Sequence, residues 1–318
     1  MTETGESRAA VQPTGAPGLA RRVRPGARAR QDGRAAYVFL LPWLVGMLGV
    51  TIGPILGSLY LSFTDFTLIG SPRWIGGENY VRMFSDDRLL TALGVTFRYV
   101  FVSVPLQLAA ALGLALLLDR GLRGLSFYRS VYYLPSLLAG SVSIAILWRQ
   151  MFGTEGLVND VLGLFGVQGI GWISHPDYAL STLILLNVWT FGAPMVIFLA
   201  GLRQIPAMYY EAATIDGAGK FAQFRHITIP LLTPIIFFNL VLQMIGAFQT
   251  FTQAFVVSGG TGGPSDSTLF YTLYLYEQGF GSFDMGYASA LAWVLLLIVA
   301  TLTGLNFLLA KRWVFYGD

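Results

Sequence analysis

Two places in this 318-residue sequence have residue types that could do chemistry, but neither forms a complete catalytic or binding motif. Residues 217–220, Gly-Ala-Gly-Lys, could form the end of a phosphate-binding loop, in which backbone N–H groups and a lysine hold a nucleotide. The full pattern needs glycine at 214 and serine or threonine at 221, where this chain has Thr214 and Phe221. His175 and Asp177 are two residues apart, and polar groups in a surface loop explain them more simply. The sequence therefore predicts neither a nucleotide site nor a catalytic site.

The composition excludes other chemistry and indicates a membrane protein. There is no cysteine and there are only two histidines, so thiolate and histidine-cluster metal sites are not expected. Apolar residues make up 54% of the chain and charged residues 12%, about half of the roughly 25% typical of soluble domains. We predict no cofactor and no metal, and we do not expect an enzyme.

Six long apolar segments indicate the fold class. Each is about 20 residues or longer, enough for a helix to cross a bilayer core, and no alternating pattern suggests a barrel. The segments lie near residues 37–61, 95–118, 131–151, 180–202, 231–257 and 287–309. We predict an all-α polytopic membrane protein with six transmembrane helices.

The positions of the basic residues predict how the chain is oriented. Most of the 20 Lys and Arg residues lie in the tail and in the segments 119–130, 203–230 and 310–318, whereas the loops 152–179 and 258–286 contain none. Because basic loops stay in the cytoplasm, we expect both termini to be cytoplasmic. Residues 1–35 are rich in Arg, Gly, Ala and Pro and are predicted to be a disordered basic tail. Residues 36–318 would form the transmembrane domain.

The cytoplasmic segment at about 204–230 has signals for two short helices with a bend. Pro206 suits the first turn of a helix that continues over 207–215. Gly217 can adopt a left-handed conformation and end that helix. Asp216 would sit poorly at a helix C-terminus, so we expect it to cap the next helix, which would begin near residue 218.

The second helix has a narrow apolar face, and Pro230 is expected to close it before the fifth span. Apolar residues repeat every three positions along it: Phe221, Phe224 and Ile227. On the first helix, Ala212 and Ala213 leave room for a partner to approach, and Glu211 offers a charge for an Arg or Lys of that partner. The segment is predicted to be a docking surface.

This pattern resembles the EAA loop of permease subunits of type I ABC importers, in particular the carbohydrate uptake family of maltose and glycerol-3-phosphate permeases. The matching residues are Glu211, Ala212, Ala213, Asp216, Gly217, Ala218, Phe224, Ile227 and Pro230. Further stretches also resemble sugar permeases: residues 74–80, 261–269, 284–290 and 311–314. The similarity extends over nearly all of 36–318 and leaves out the basic tail.

The resemblance implies partners and a function. It implies a multi-pass protein of the bacterial inner (plasma) membrane that pairs with a second, similar permease subunit. Two ATP-binding cassette subunits would each grip one loop, and an extracytoplasmic binding protein would deliver a sugar or oligosaccharide for import. The residues implied in ATPase coupling are Glu211, Ala212, Ala213, Asp216, Gly217 and Ala218.

Polar residues inside the spans are candidates for contact with the sugar, because amides can bind hydroxyls and aromatic rings stack on sugar faces. The fourth span contains Asn187 and Trp189, and the fifth contains Gln243 and Gln249. The resemblance places substrate contacts on the helices that flank the loop, which favours Asn187, Trp189 and Gln243. Polar groups of this kind also join helices to one another, so both roles stay open.

Three other functions are alternatives to a saccharide importer. A self-sufficient secondary carrier usually needs an ionisable residue within its spans, and the spans have none apart from arginines near their ends. A membrane enzyme would need a catalytic group that the sequence lacks. An importer of glycerol-3-phosphate or a related phosphodiester would favour a basic group in the cavity, and none is evident.

Overall fold

The apolar segments form helices in a computed structural model that describes residues 39–120, 124–138 and 140–315. The predicted tail, residues 1–35, lies outside the described residues. The chain divides into two units, residues 1–56 and 57–318. The described residues form no strand beyond two isolated bridges, Thr64 with Trp74 and Thr67 with Asp284.

Helices account for most of the described chain, as the all-α prediction requires. In order they are α1 (Phe39–Leu61), α2 (Glu78–Arg82), α3 (Asp87–Asp119), α4 (Leu125–Leu138), α5 (Val142–Met151), α6 (Leu157–Leu164), α7 (Pro176–Trp189), α8 (Gly192–Leu202), α9 (Ala207–Ile215), α10 (Lys220–Phe248), α11 (Thr252–Ser258), α12 (Tyr271–Tyr276) and α13 (Met285–Trp313).

Four of these helices are long and apolar enough to cross a membrane by themselves: α1, α3, α10 and α13. Two more spans are possible as bent pairs, α4 with α5 and α7 with α8, so the number of spans is four to six by length and composition. The described part of the first unit lies in α1, in whose apolar window no residue is buried. An apolar helix with no buried residue is stable only in an apolar surrounding.

The fourth predicted span, 180–202, is not one continuous helix, because α7 and α8 meet at an angle of 41°. Pro194 has no N–H to donate to the carbonyl of Thr190, four residues before it. The Ser136 hydroxyl donates to that carbonyl instead, over 2.8 Å, and accepts the N–H of Ala193 over 2.9 Å. The break is thus satisfied by a neighbouring helix, as it must be at membrane depth.

The third and fifth predicted spans also differ from the structure. In the third, Ser141 begins a new helix, since its hydroxyl accepts the N–H of Ile144. In the fifth, α10 ends at Phe248 and a separate helix, α11, follows from Thr252. The prediction of one unbroken helix over 231–257 was therefore wrong near its C-terminal end, because the helix is interrupted between Phe248 and Thr252.

The core of the second unit forms around α3, which packs against α7, α8 and α10. Ala111 and Ala115 of α3 have no exposed surface, so these helices approach closely. Gly201 of α8 also allows a close approach between helices, because a Cβ there would lie 2.1 Å from the Cδ1 of Ile235 on α10. The loop segment 203–219 therefore connects two spans that are themselves tightly packed.

Candidate functional site

The predicted docking segment begins with α9, which has a Schellman ending. The N–H of Gly217 donates to the carbonyl of Thr214 over 3.1 Å, and the N–H of Ala218 donates to the carbonyl of Ala213 over 2.8 Å. These are the two bonds of that motif, and it needs a left-handed residue at its centre. Gly217 has φ +78°, which confirms the predicted end of the helix.

Three details of the second predicted helix were wrong. Asp216 is the C-cap of α9 and does not cap the next helix, which begins at Lys220 after Gly219. A Schellman ending uses the residue before the left-handed glycine as its own C-cap, which leaves Asp216 no role at the later helix. Pro230 does not close the helix either. The helix runs from Lys220 to Phe248 through a π-helical segment at Phe224–Thr228. Pro230 lies in the first turn of the α-helical part that follows this segment, a position where the missing N–H of proline is tolerated.

Side-chain hydrogen bonds fasten α9 to the beginning of α10. The hydroxyls of Tyr210 and Thr228 lie 2.9 Å apart. The amide of Gln223 donates to the Thr214 hydroxyl over 2.9 Å and to the Ala218 carbonyl over 3.2 Å. Because α10 is continuous into its span, a displacement of α9 would be carried directly into the apolar part of the protein.

The outer face of α9 has no partner within the described part of the chain. Glu211, Ala212, Asp216 and Gly217 are exposed, and Ala213 and Ala218 are half-buried. The Glu211 carboxylate has no hydrogen bond or ion pair with any described residue, so its charge is free for another molecule. Met208 and Ile215, about one turn to either side of Glu211 on α9, are exposed large apolar residues (67% and 87%), as is Phe221 of α10 (74%).

Asn187 and Trp189 lie at the end of α7 and contact neighbouring helices. Asn187 donates to the side-chain oxygen of Gln107 over 3.4 Å, and the amide of Gln107 donates to the Thr190 hydroxyl over 2.7 Å. The Trp189 ring centroid lies 6.0 Å from that of Trp148. Gln107 is buried, so this network joins α3 to the break between α7 and α8.

Gln243 is half-buried on α10 and has no hydrogen bond to Asn187 or Trp189 among the described residues. A cavity of 660 Å³ lies further along α10, lined by Gln249 and by Thr303 of α13 among apolar residues. The Thr303 hydroxyl is buried without a partner in the described part of the chain. Gln249 could be found in the sequence as a polar residue of the fifth predicted span, but nothing in its spacing set it apart from Gln243.

The predicted outer side has an ion network that the sequence analysis did not identify. Arg88, in the first turn of α3, donates twice to Asp266 and once to Glu277, each over 2.9 Å. Arg82 lies 2.6 Å from Asp284 and its guanidinium carbon lies 4.0 Å from the ring centre of Tyr287. These contacts join residues about 180 to 200 positions apart, so no local pattern could predict them.

Asp86 stands at the centre of that network. One oxygen accepts the N–H of Leu89 over 3.1 Å, and the other accepts the hydroxyls of Tyr274 and Tyr287 over 2.5 and 2.6 Å. Partial burial acts to raise the pKa of this carboxyl, but the hydrogen bonds outweigh it and hold the pKa below the ordinary 3.8. Asp86 is also the N-cap of α3, so one ionised group fixes where that span begins.

The described residues contain no group of three His, Asp or Glu side chains placed to hold a metal ion. His175 accepts the N–H of Asp177 over 3.3 Å and thereby caps α7. That contact gives these two residues a structural role in the loop.

Comparison with known proteins identifies relatives that match most of the chain. Residues 108–314 match the family model described as "Binding-protein-dependent transport system inner membrane component". The probable ABC transporter permease protein YesP of Bacillus subtilis is 50% identical, over 90% of this chain and 94% of its own length. The lactose transport system permease protein LacF of Rhizobium radiobacter is 34% identical, over 87% of this chain and 94% of its own.

A third relative and a solved structure extend the comparison. The trehalose/maltose transport system permease protein MalF of Thermococcus litoralis is 32% identical, over 86% of this chain and 92% of its own length. In fold, the chain resembles one from the bacterial alginate ABC transporter, solved in complex with an alginate pentasaccharide-bound periplasmic protein. The TM-score is 0.78 at 19% identity, over 91% of this chain and 98% of that one.

Proposed function

We propose, because the chain belongs to the family of binding-protein-dependent transport system inner membrane components, that it is a permease subunit of an ATP-driven importer of a sugar or oligosaccharide. Family membership makes the chain a multi-pass component of the membrane, and this family consists of transport subunits, not catalytic ones. The lactose and trehalose/maltose permeases among its relatives support a saccharide as the substrate.

The observation that carries the proposal is the unpartnered outer face of α9. An exposed carboxylate flanked by exposed apolar side chains is the composition of an interface whose partner is missing. We assign this face to one of two ATPase subunits, with Glu211 paired to a cation of that subunit. A second permease subunit would carry the other ATPase contact, and an extracytoplasmic binding protein would deliver the saccharide.

The contacts within the loop suggest how ATP energy reaches the spans. When the ATPases close, the contact at Glu211 would move α9. The hydrogen bonds of Tyr210 and Gln223 would carry this movement into α10, which continues without a break to Phe248. Because α10 packs against α3 and α8, the movement would change the packing of the spans around the substrate path. This mechanism requires the loop to lie on the cytoplasmic side, which is also the orientation that the distribution of basic residues predicts.

Asn187, Trp189 and Gln243 remain the proposed saccharide contacts. Asn187 has amide capacity left beyond its 3.4 Å contact with Gln107, and Trp189 is half-buried.

The test is uptake into sealed vesicles that contain the complete importer. We expect labelled oligosaccharide to enter only with ATP on the loop side and the binding protein on the other side. Uptake by this chain alone, driven by an ion gradient, would show a secondary carrier and contradict the proposal. Competition by glycerol-3-phosphate but not by saccharides would assign the phosphodiester alternative.

A further inference from the structure

A groove of 360 Å³ lies between α4 and α8, and the proposed transport mechanism makes no use of it. Polar residues of α4 form one side and apolar residues of α8 form the other. The lining residues are Arg129, Ser130, Tyr133, Ala193, Val196 and Ile197. The groove lies beside Gly192, where the two helices touch, since a Cβ at Gly192 would lie 2.3 Å from the carbonyl oxygen of Tyr132.

Two hydrogen-bond donors in this groove lack partners among the described residues. Arg129 is half-buried, and its guanidinium has no ion pair or hydrogen bond with any described residue. The hydroxyl of Tyr133, a side chain 36% exposed, also has none. The two residues are four positions apart, so they project from the same face of α4. Ser130 is not a third donor, because its hydroxyl donates to the carbonyl of Ser126 over 3.1 Å.

The surroundings of Arg129 indicate membrane. The apolar residues beside it are those of α8 in the groove, Ala193, Val196 and Ile197, and the opposite face of α4 exposes Val131 (46%), Leu134 (53%) and Leu138 (42%). An unpaired cation beside such a lining, on a helix whose other face is apolar and exposed, is costly unless an anion reaches it. Arg129 lies four residues, about 6 Å, from the first residue of α4, and therefore near the end of a helix where lipid headgroups lie.

We propose that this groove binds an anionic phospholipid. The phosphate accepts hydrogen bonds from the Arg129 guanidinium and the Tyr133 hydroxyl, and an acyl chain lies along Ala193, Val196 and Ile197. Arg129 provides a charge-assisted donor, and basic pockets between membrane helices suit such headgroups. Its lining residues include none of the docking face on α9 and none of the proposed saccharide contacts.

The experiment compares lipid binding by the assembled importer carrying wild-type chain, Arg129→Gln or Lys311→Gln. Lys311 is an exposed cation in the last turn of α13 and does not line the groove, which makes it a matched control. Native mass spectrometry in detergent would count bound phosphatidylglycerol and phosphatidylcholine. One basic residue near an anionic lipid contributes about 1 kcal/mol, so we expect phosphatidylglycerol affinity to fall about fivefold in Arg129→Gln and to be unchanged in Lys311→Gln.

Further measurements distinguish a lipid phosphate from free inorganic phosphate and control for loss of folding. Tyr133→Phe removes only a hydroxyl and should weaken phosphatidylglycerol binding while melting in lipid-free detergent stays unchanged. Inorganic phosphate at equal concentration should not displace the lipid; displacement would mean a soluble phosphate site and overturn the proposal. Equal lipid counts in both Gln variants would overturn it too. So would a crosslink from position 129 to an acidic residue of another subunit that excludes lipid from the assembled importer.

Discussion

The main-chain N–H of Ala218 donates to the carbonyl oxygen of Ala213 over 2.8 Å, and this bond closes α9 around the left-handed Gly217. It fixes the direction in which the chain leaves the docking face and turns toward α10. The shape of the proposed contact with the ATPase therefore depends on one glycine whose conformation other residues adopt only with strain.

Gly217→Ala should reduce uptake without removing the protein from the membrane. No atom beyond the adjacent residues lies within 4 Å of the position that the new Cβ would occupy, so the cost is backbone strain, about 1–2 kcal/mol. We expect this strain to distort the end of α9 and to lower uptake severalfold at equal membrane content. The matched control is Gly219→Ala, because Gly219 has φ −70° and equally open surroundings. Equal loss in both variants would refute a specific role for the left-handed turn.

Tyr210→Phe should weaken the connection between α9 and α10. The variant removes the hydroxyl that lies 2.9 Å from that of Thr228, a bond whose net contribution is about 0.5–1.5 kcal/mol. We expect ATP hydrolysis to continue while fewer saccharide molecules enter per ATP hydrolysed. Thr228→Val should have the same effect, and the double variant should be no worse than either single one. Additive losses would mean that the two hydroxyls act separately.

Asn187→Ala and Gln107→Ala distinguish saccharide contact from helix packing. Both variants break the 3.4 Å contact between the two side chains, but only Asn187 is proposed to touch the saccharide. If so, Asn187→Ala should raise the saccharide concentration needed for half-maximal uptake at least threefold more than Gln107→Ala does. Gln243→Ala should behave like Asn187→Ala. Identical effects of the Asn187 and Gln107 variants would assign Asn187 to packing.

The carboxyl of Asp86 should make stability depend on acidity. Partial burial acts to raise its pKa, but the hydroxyls of Tyr274 and Tyr287 donate to the ionised form and hold the pKa below the ordinary 3.8. A lowered pKa stabilises the fold above the ordinary value, and the contribution is lost as pH falls through the lowered one. Between pH 5 and about 3 the melting temperature of the detergent-purified protein should fall. The melting temperature of Asp86→Asn should be lower at pH 5 and should fall less as the pH is lowered. If the melting temperatures of wild type and variant fell in parallel, Asp86 would not be the cause.

Local signals in the sequence were enough to predict the helical class, the helix over 207–215 and the turn at Gly217, because hydropathy and glycine conformation are properties of neighbouring residues. The role of Asp216 was not predictable in this way, since one aspartate suits either end of a short gap between helices. The break at Thr190 depends on Ser136, and the outer network joins Arg88 to Asp266. Both contacts are distant in sequence, and only the packed structure brings their members together.

The central claim is that Glu211 passes the energy of a separate ATPase to this chain. The most direct measurement is saccharide uptake together with ATP hydrolysis in vesicles containing the complete importer with Glu211→Gln. A lost charge-assisted contact is worth about 1.5–3 kcal/mol, so uptake should fall at least tenfold and the binding protein should no longer stimulate hydrolysis. Glu155→Gln, which changes an exposed acid of the loop 152–179, should leave both unchanged. Normal uptake and normal stimulation in the Glu211 variant would contradict the claim.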